Sequence, residues 1–268
     1  MFAQPTNAKN QHTALNRVEL TVLESRLQEI IQRACDIQSD NRRLHQKIIP
    51  EIISRWTTLK ADQDKKNKDC GHLFNPLAFI PIAEPTHSQL LGDLLDPKGS
   101  HGQGRLFLEA FLEHIDVPNP KDGDWMVSVE AGRVDIRVWR RSPPSMILIE
   151  NKSNGAIDQS NQLYRYWYEN IKKPHPDLDH SKLEIKRAFQ VIYLPPYAGK
   201  QPEQHSLSCP ECLDGLGLPK TLHDADVTVK LLTFRDDISA WLDGCKKLIP
   251  PTNTRLKTYL QFYTELWS

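Results

Sequence analysis

The sequence predicts an α/β domain, a central mixed β-sheet flanked by helices, preceded by a helical hairpin. Three observations carry that expectation. Apolar residues recur at helical spacing from Leu20 to Leu59, three β-rich runs follow one another between positions 125 and 151, and helical patterns then alternate with two further strand-like runs. The bulk properties are those of an ordinary globular chain, with 39% hydrophobic and 25% charged residues. Thirty-four Lys and Arg balance 34 Asp and Glu, so a nucleic-acid partner would have to be held by a local basic patch. No apolar stretch approaches the ~20 residues of a membrane-spanning helix, so no membrane partner is expected. Met1 to Asn10 carries no apolar block of the secretory kind, and five cysteines are an odd number, so the expectation is a reduced, cytoplasmic protein.

Taken in order, residues 1 to 14 are polar and without period. Leu20, Leu23, Leu27, Ile30, Ala34 and Ile37 then alternate spacings of three and four, the seam of an amphipathic helix. Leu44, Ile48, Ile52, Trp56 and Leu59 form a second seam, and Ser39-Asp40-Asn41 between them reads as a break and N-cap. The reading is therefore an antiparallel hairpin over residues 1–70, followed by the main domain over 71–268. Each seam taken alone falls short of the three or four heptads that argue for a self-standing coiled coil. Packing on the main domain is the plainer expectation, and a homodimer arm the sharper one.

Pro85 opens a helix whose stripe is Leu90, Leu91, Leu94 and Leu95, and Leu106 to Ile115 repeats the helical spacing after a Gly-rich loop. Trp125 to Glu130, Val134 to Trp139 and Met146 to Asn151 are successive antiparallel strands separated by turn residues. A helix from Ala156 to Ile171, a strand from Ala188 to Leu194, a Pro- and Gly-rich loop over 195–222, a strand from Val227 to Phe234 and two helices, near Asp236 to Lys247 and Thr254 to Trp267, complete the chain.

The informative residues are Asp135, Glu150 and Lys152, ionisable groups inside otherwise apolar strands. Alternation along a strand puts Glu150 and Lys152 on one face. If Arg141 to Pro144 is a four-residue hairpin loop, positions whose numbers sum to 285 face each other, so Asp135 stands opposite Glu150. Two carboxylates that close repel unless something neutralises them, and a hard divalent cation such as Mg²⁺ is the natural candidate. Lys152 could orient a water or stabilise charge on a phosphate.

Asp135, fourteen residues, then Glu150-Asn151-Lys152 resembles the signature of the PD-(D/E)XK nuclease superfamily, the restriction-endonuclease-like fold. Further pieces resemble one branch of small stand-alone bacterial proteins in that superfamily: Phe74-Asn75, Glu84 and Ser88, Leu94-Leu95-Asp96-Pro97, His101-Gly102, then Gln162 and Tyr166 one helical turn apart, and a closing segment from Thr233-Phe234 to Trp241-Leu242. Over roughly residues 74 to 267, the resemblance implies a Mg²⁺-dependent phosphodiester hydrolase acting on DNA, with Mn²⁺ as a substitute ion, in defence against foreign DNA or in DNA processing. It further implies that Asp135 and Glu150 bind the metal with the main-chain carbonyl of Asn151, that Glu84 completes the acidic cluster, and that Lys152 activates or positions the water. Gln162 and Tyr166 would buttress the site or touch the nucleic-acid backbone. The superfamily's proline is replaced by Val134. A catalytically silent binding module on the same fold is the competing reading.

Cys209 and Cys212 form half of a zinc site, and with a single such pair a structural zinc is not expected. Arg133, Arg137, Arg140 and Arg141 are the candidates for phosphate neutralisation.

Overall fold

The computed structural model describes residues 17–71 and 74–268; the polar stretch 1–14 lies outside them. The chain divides into two units between Phe74 and Asn75.

The first unit does not form the expected hairpin. Helix α1 (Arg17–Arg43) passes through a wide π turn (Leu44–Ile48) directly into α2 (Ile49–Cys70), and the backbone stays right-handed helical across both junctions. The break signal fails because nothing in it forbids a helix. Ser39 returns its hydroxyl to the Asp36 carbonyl at 2.8 Å, and no glycine occurs before Gly71. Pro50, which lacks an amide hydrogen, is the second residue after the π turn, where the wider hydrogen-bond spacing accommodates it. Gly71, at φ +63, ends the helix in the left-handed conformation and returns its amide to the Asn67 carbonyl.

The second unit is a five-stranded sheet in the order β1 (Trp125–Ala131), β2 (Val134–Arg140), β3 (Ser145–Asn151), β4 (Phe189–Leu194) and β5 (Val229–Leu231). The first three strands are an antiparallel meander, and β3, β4 and β5 run parallel, so the sheet is mixed as expected. Gly132 and Arg133 both have positive φ, the conformation a two-residue turn needs to match the strand twist. The last strand is shorter than expected, three residues in place of the run Val227 to Phe234, and Phe234 itself opens a π turn (Phe234–Ile238) that leads into α7 (Ser239–Leu248).

One face of the sheet, including Ile136, Val138, Ile147 and Ile149, is covered by α3 (Glu84–Leu95), α4 (Leu106–His114), α7 and α8 (Thr254–Glu265), which contribute Leu91, Phe107, Phe111, Trp241 and Tyr263. The opposite face, with Leu148, Val191 and Tyr193, is covered by α5 (Gln162–Trp167) and α6 (Leu183–Ala188). The expected helix from Ala156 begins only at Gln162. Gly155 and Asn161 are left-handed and hold the chain in a loop until then, and a further π turn, Tyr168–Lys172, ends it.

Candidate active site

The four-residue loop fixes the hairpin register, pairing Arg140 with Ser145 and Ile136 with Ile149, so Asp135 and Glu150 follow as the next opposed positions. Strand alternation then sorts the end of β3. Ile149 joins the core under α3, while Glu150 and Lys152 are on the side of α5. Asn151 links the two sides. Its main-chain amide donates to Asp135 Oδ2 at 2.6 Å, and its side-chain nitrogen donates to the Glu84 carbonyl at 2.8 Å and Ser88 Oγ at 2.9 Å.

Glu150 and Lys152 are both buried, with Lys152 Nζ 2.7 Å from Glu150 Oε1. The same ammonium lies 3.7 Å from Asp158 Oδ1 and donates to Gln162 Oε1 at 3.3 Å. Gln162 in turn donates to the Tyr166 hydroxyl at 3.0 Å. Five residues singled out from the sequence, Asp135, Glu150, Lys152, Gln162 and Tyr166, therefore form one cluster.

The electrostatics follow from this crowding. Burial, reinforced by the Glu150 charge, pushes the Asp135 carboxyl well above the usual carboxylate range, and the Asn151 amide opposes it. Burial likewise raises Glu150, with the Lys152 ammonium pulling the other way. For Lys152 itself, burial favours the neutral amine, but Glu150, Asp158 and Glu84 outweigh it and hold the group protonated. Burial and the negative charges of Glu150 and Asp135 keep the Tyr166 phenol neutral.

The arrangement fits a cation on one specific ground: Glu150 Oε2 is buried and accepts no hydrogen bond of full geometry, although Tyr166 and Asp135 interact with the same carboxyl and favour its charged form. Among the described residues no group of three or more His, Cys, Asp or Glu side chains is arranged as a ready-made metal cage. Glu84 accounts for part of this. Its Oε1 accepts the Asn154 and Ala156 amides at 3.0 and 3.3 Å, so its carboxylate closes the turn after β3.

Beside the cluster opens a cleft of about 660 Å³, lined by Asp135, Gln162 and Tyr166 and by two arginines, Arg133 and Arg165. The sequence reading of the basic residues needs correction here. Arg140 is buried and spends its guanidinium on the Pro118, Asn119 and Asp122 carbonyls, so it staples the loop before β1 and is not free for phosphate. Arg137 bonds Asn170 and stacks on Trp139.

Sequence reasoning missed Asp158 and Tyr193. Asp158 is buried, accepting the Tyr193 hydroxyl on Oδ1 at 2.8 Å and the Glu203 amide on Oδ2 at 2.8 Å. Its one sequence signal is a spacing of four before Gln162, which no charge pattern distinguishes from an ordinary helix surface.

Residues 74–265 match the model of a family described as the PD-(D/E)XK nuclease superfamily. No curated protein and no solved structure matches the chain.

Proposed function

The chain belongs to the PD-(D/E)XK nuclease superfamily, and from that premise we propose that it is a Mg²⁺-dependent nuclease that hydrolyses phosphodiester bonds of DNA. The observation that carries the reading is Glu150 Oε2, buried next to a lysine and across the hairpin from Asp135 without a hydrogen bond of full geometry. Asp135 and Glu150 would hold the ion, with the Asn151 carbonyl as a further donor; when bound, it supplies a Lewis acid and a more acidic water.

The remaining steps belong to side chains. Lys152, kept protonated, supplies positive charge for the phosphate as negative charge builds on it. Gln162 fixes the ammonium by its amide oxygen, and Tyr166 holds Gln162 by its hydroxyl. Glu84 shapes the wall of the site through the 154–156 turn. Arg133 and Arg165, on the cleft wall, neutralise backbone phosphates. No helix among the described residues is long and apolar enough to cross a membrane. The expected protein partner is a second copy of the chain.

The test is incubation of wild type and Lys152→Ala with supercoiled plasmid and labelled linear duplex in Mg²⁺, Mn²⁺ and EDTA. Metal-dependent cleavage by wild type alone supports the reading. DNA binding without cleavage on any substrate, single strands and RNA included, would sink it in favour of a silent binding module.

A further inference from the structure

The continuous N-terminal helix joins two seams that the sequence presents separately. From Leu27 the apolar positions run Leu27, Ile30, Ala34, Ile37, Asn41, Leu44 and Ile48 in alternating steps of three and four, an unbroken heptad with Asn41 as its one polar member. Beyond Ile48, the residues Ile52, Trp56 and Leu59 each come one position too late for that heptad. The π turn at Leu44–Ile48 removes the discrepancy. Such a turn holds one residue more than an α turn, so it sets the later helix back by one position. Ile52, Trp56 and Leu59 thereby return to the face of Leu27, Ile30 and Ile37, and flanking Ile31 and Ile53 fall in register with each other by the same correction.

The result is a single seam of more than four heptads, past the length at which a coiled coil stands on its own. Its large side chains are left open: Leu27, Ile30, Ile37, Leu44, Ile48, Ile52, Trp56 and Leu59 are each between 40% and 65% exposed. At roughly 60–120 Å² per buried aliphatic side chain, covering them on two copies removes about 1,000–2,000 Å² from water, the range of a stable protein interface. Asn41 points to the partner. An amide in an apolar seam needs a complementary amide, and the same residue of a second copy supplies it when the strands run parallel and in register. We propose that residues 27–59 form a parallel, in-register, two-stranded coiled coil with a second copy of this chain. Both chains then leave the arm at the same end, at Cys70.

Sedimentation equilibrium of the full-length protein tests this, independently of catalysis. The expected mass is two chains at micromolar concentration, falling to one for the double substitution Ile30→Glu, Ile37→Glu, which places good helix formers on an exposed face. A circular dichroism melt confirms that the substituted protein stays folded. Asn41→Cys, oxidised and digested, should yield a peptide linked through position 41 to position 41 that wild type lacks. A monomeric wild type, an assembly surviving the double substitution, three or more copies, or a dimer without the 41-to-41 link would each overturn the proposal.

Discussion

The Lys152 ammonium lies 2.7 Å from Glu150 Oε1 in a buried pair, while the other oxygen of the same carboxylate accepts no hydrogen bond of full geometry. A side-chain cation therefore already stands where a divalent ion would compete for Glu150. Replacing Lys152 with Met should abolish cleavage, destabilise the metal-free protein by about 3 kcal/mol through the uncompensated carboxylate, and yet tighten Mg²⁺ binding several-fold. Calorimetric titration reads the last effect; unchanged or weaker binding would show that the ammonium does not compete.

Asp158 is the second carboxylate near the ammonium, with Oδ1 at 3.7 Å, and its own oxygens are fixed by Tyr193 and the Glu203 amide. Asp158→Asn keeps the shape and removes the charge. It should lower kcat about 10- to 100-fold with DNA affinity unchanged, and Tyr193→Phe should do so more mildly. An equal loss in affinity and kcat would assign Asp158 to general folding instead of lysine positioning.

Arg133 and Arg165 are predicted to touch phosphate and Arg140 is not. In a Lys152→Ala background, Arg133→Ala or Arg165→Ala should each flatten the salt dependence of duplex binding, the slope of log K against log salt falling by about 0.9 per lost contact. Arg140→Ala should leave the slope intact and lower the melting temperature, because three loop carbonyls lose their donor.

His87 gives the fold a pH dependence. Buried between Phe234, Tyr263 and Trp267, with Nδ1 2.9 Å from the Tyr263 hydroxyl, it is lowered by desolvation to about 4. The folded state thus binds fewer protons than the unfolded one between the two pKa values. Its contribution is complete above about pH 6.5 and is lost as pH falls toward 4, a change on the order of 3 kcal/mol. Denaturant unfolding of wild type and His87→Gln at pH 7.0 and 4.5 checks this. The two proteins should diverge at pH 7.0 relative to pH 4.5; parallel losses would place the acid sensitivity elsewhere.

What could be read from the sequence depended on how local its cause was. The opposition of Asp135 and Glu150 was legible because a four-residue loop dictates register over the few residues beside it. The lysine's second carboxylate was not. Apolar periodicity places Asp158 on a helix that the left-handed Asn161 prevents, and its partners come from β4 and the loop after it, thirty-five and forty-five positions away. Arg140 has the composition of a phosphate ligand and the environment of a core residue, a difference visible only once the 118–122 carbonyls are in place. At the N-terminus the polar Ser39-Asp40-Asn41 reads as punctuation, although without glycine or proline it lacks the steric means to stop a helix.

Asn151 carries a mechanical implication. Its amide grips the Asp135 carboxylate while its side chain is riveted to the first turn of α3 through Glu84 and Ser88. One residue thus ties the start of α3, on one side of the sheet, to the carboxylate on the other, so the order of the Asp135 side chain rests on three hydrogen bonds that meet at Asn151.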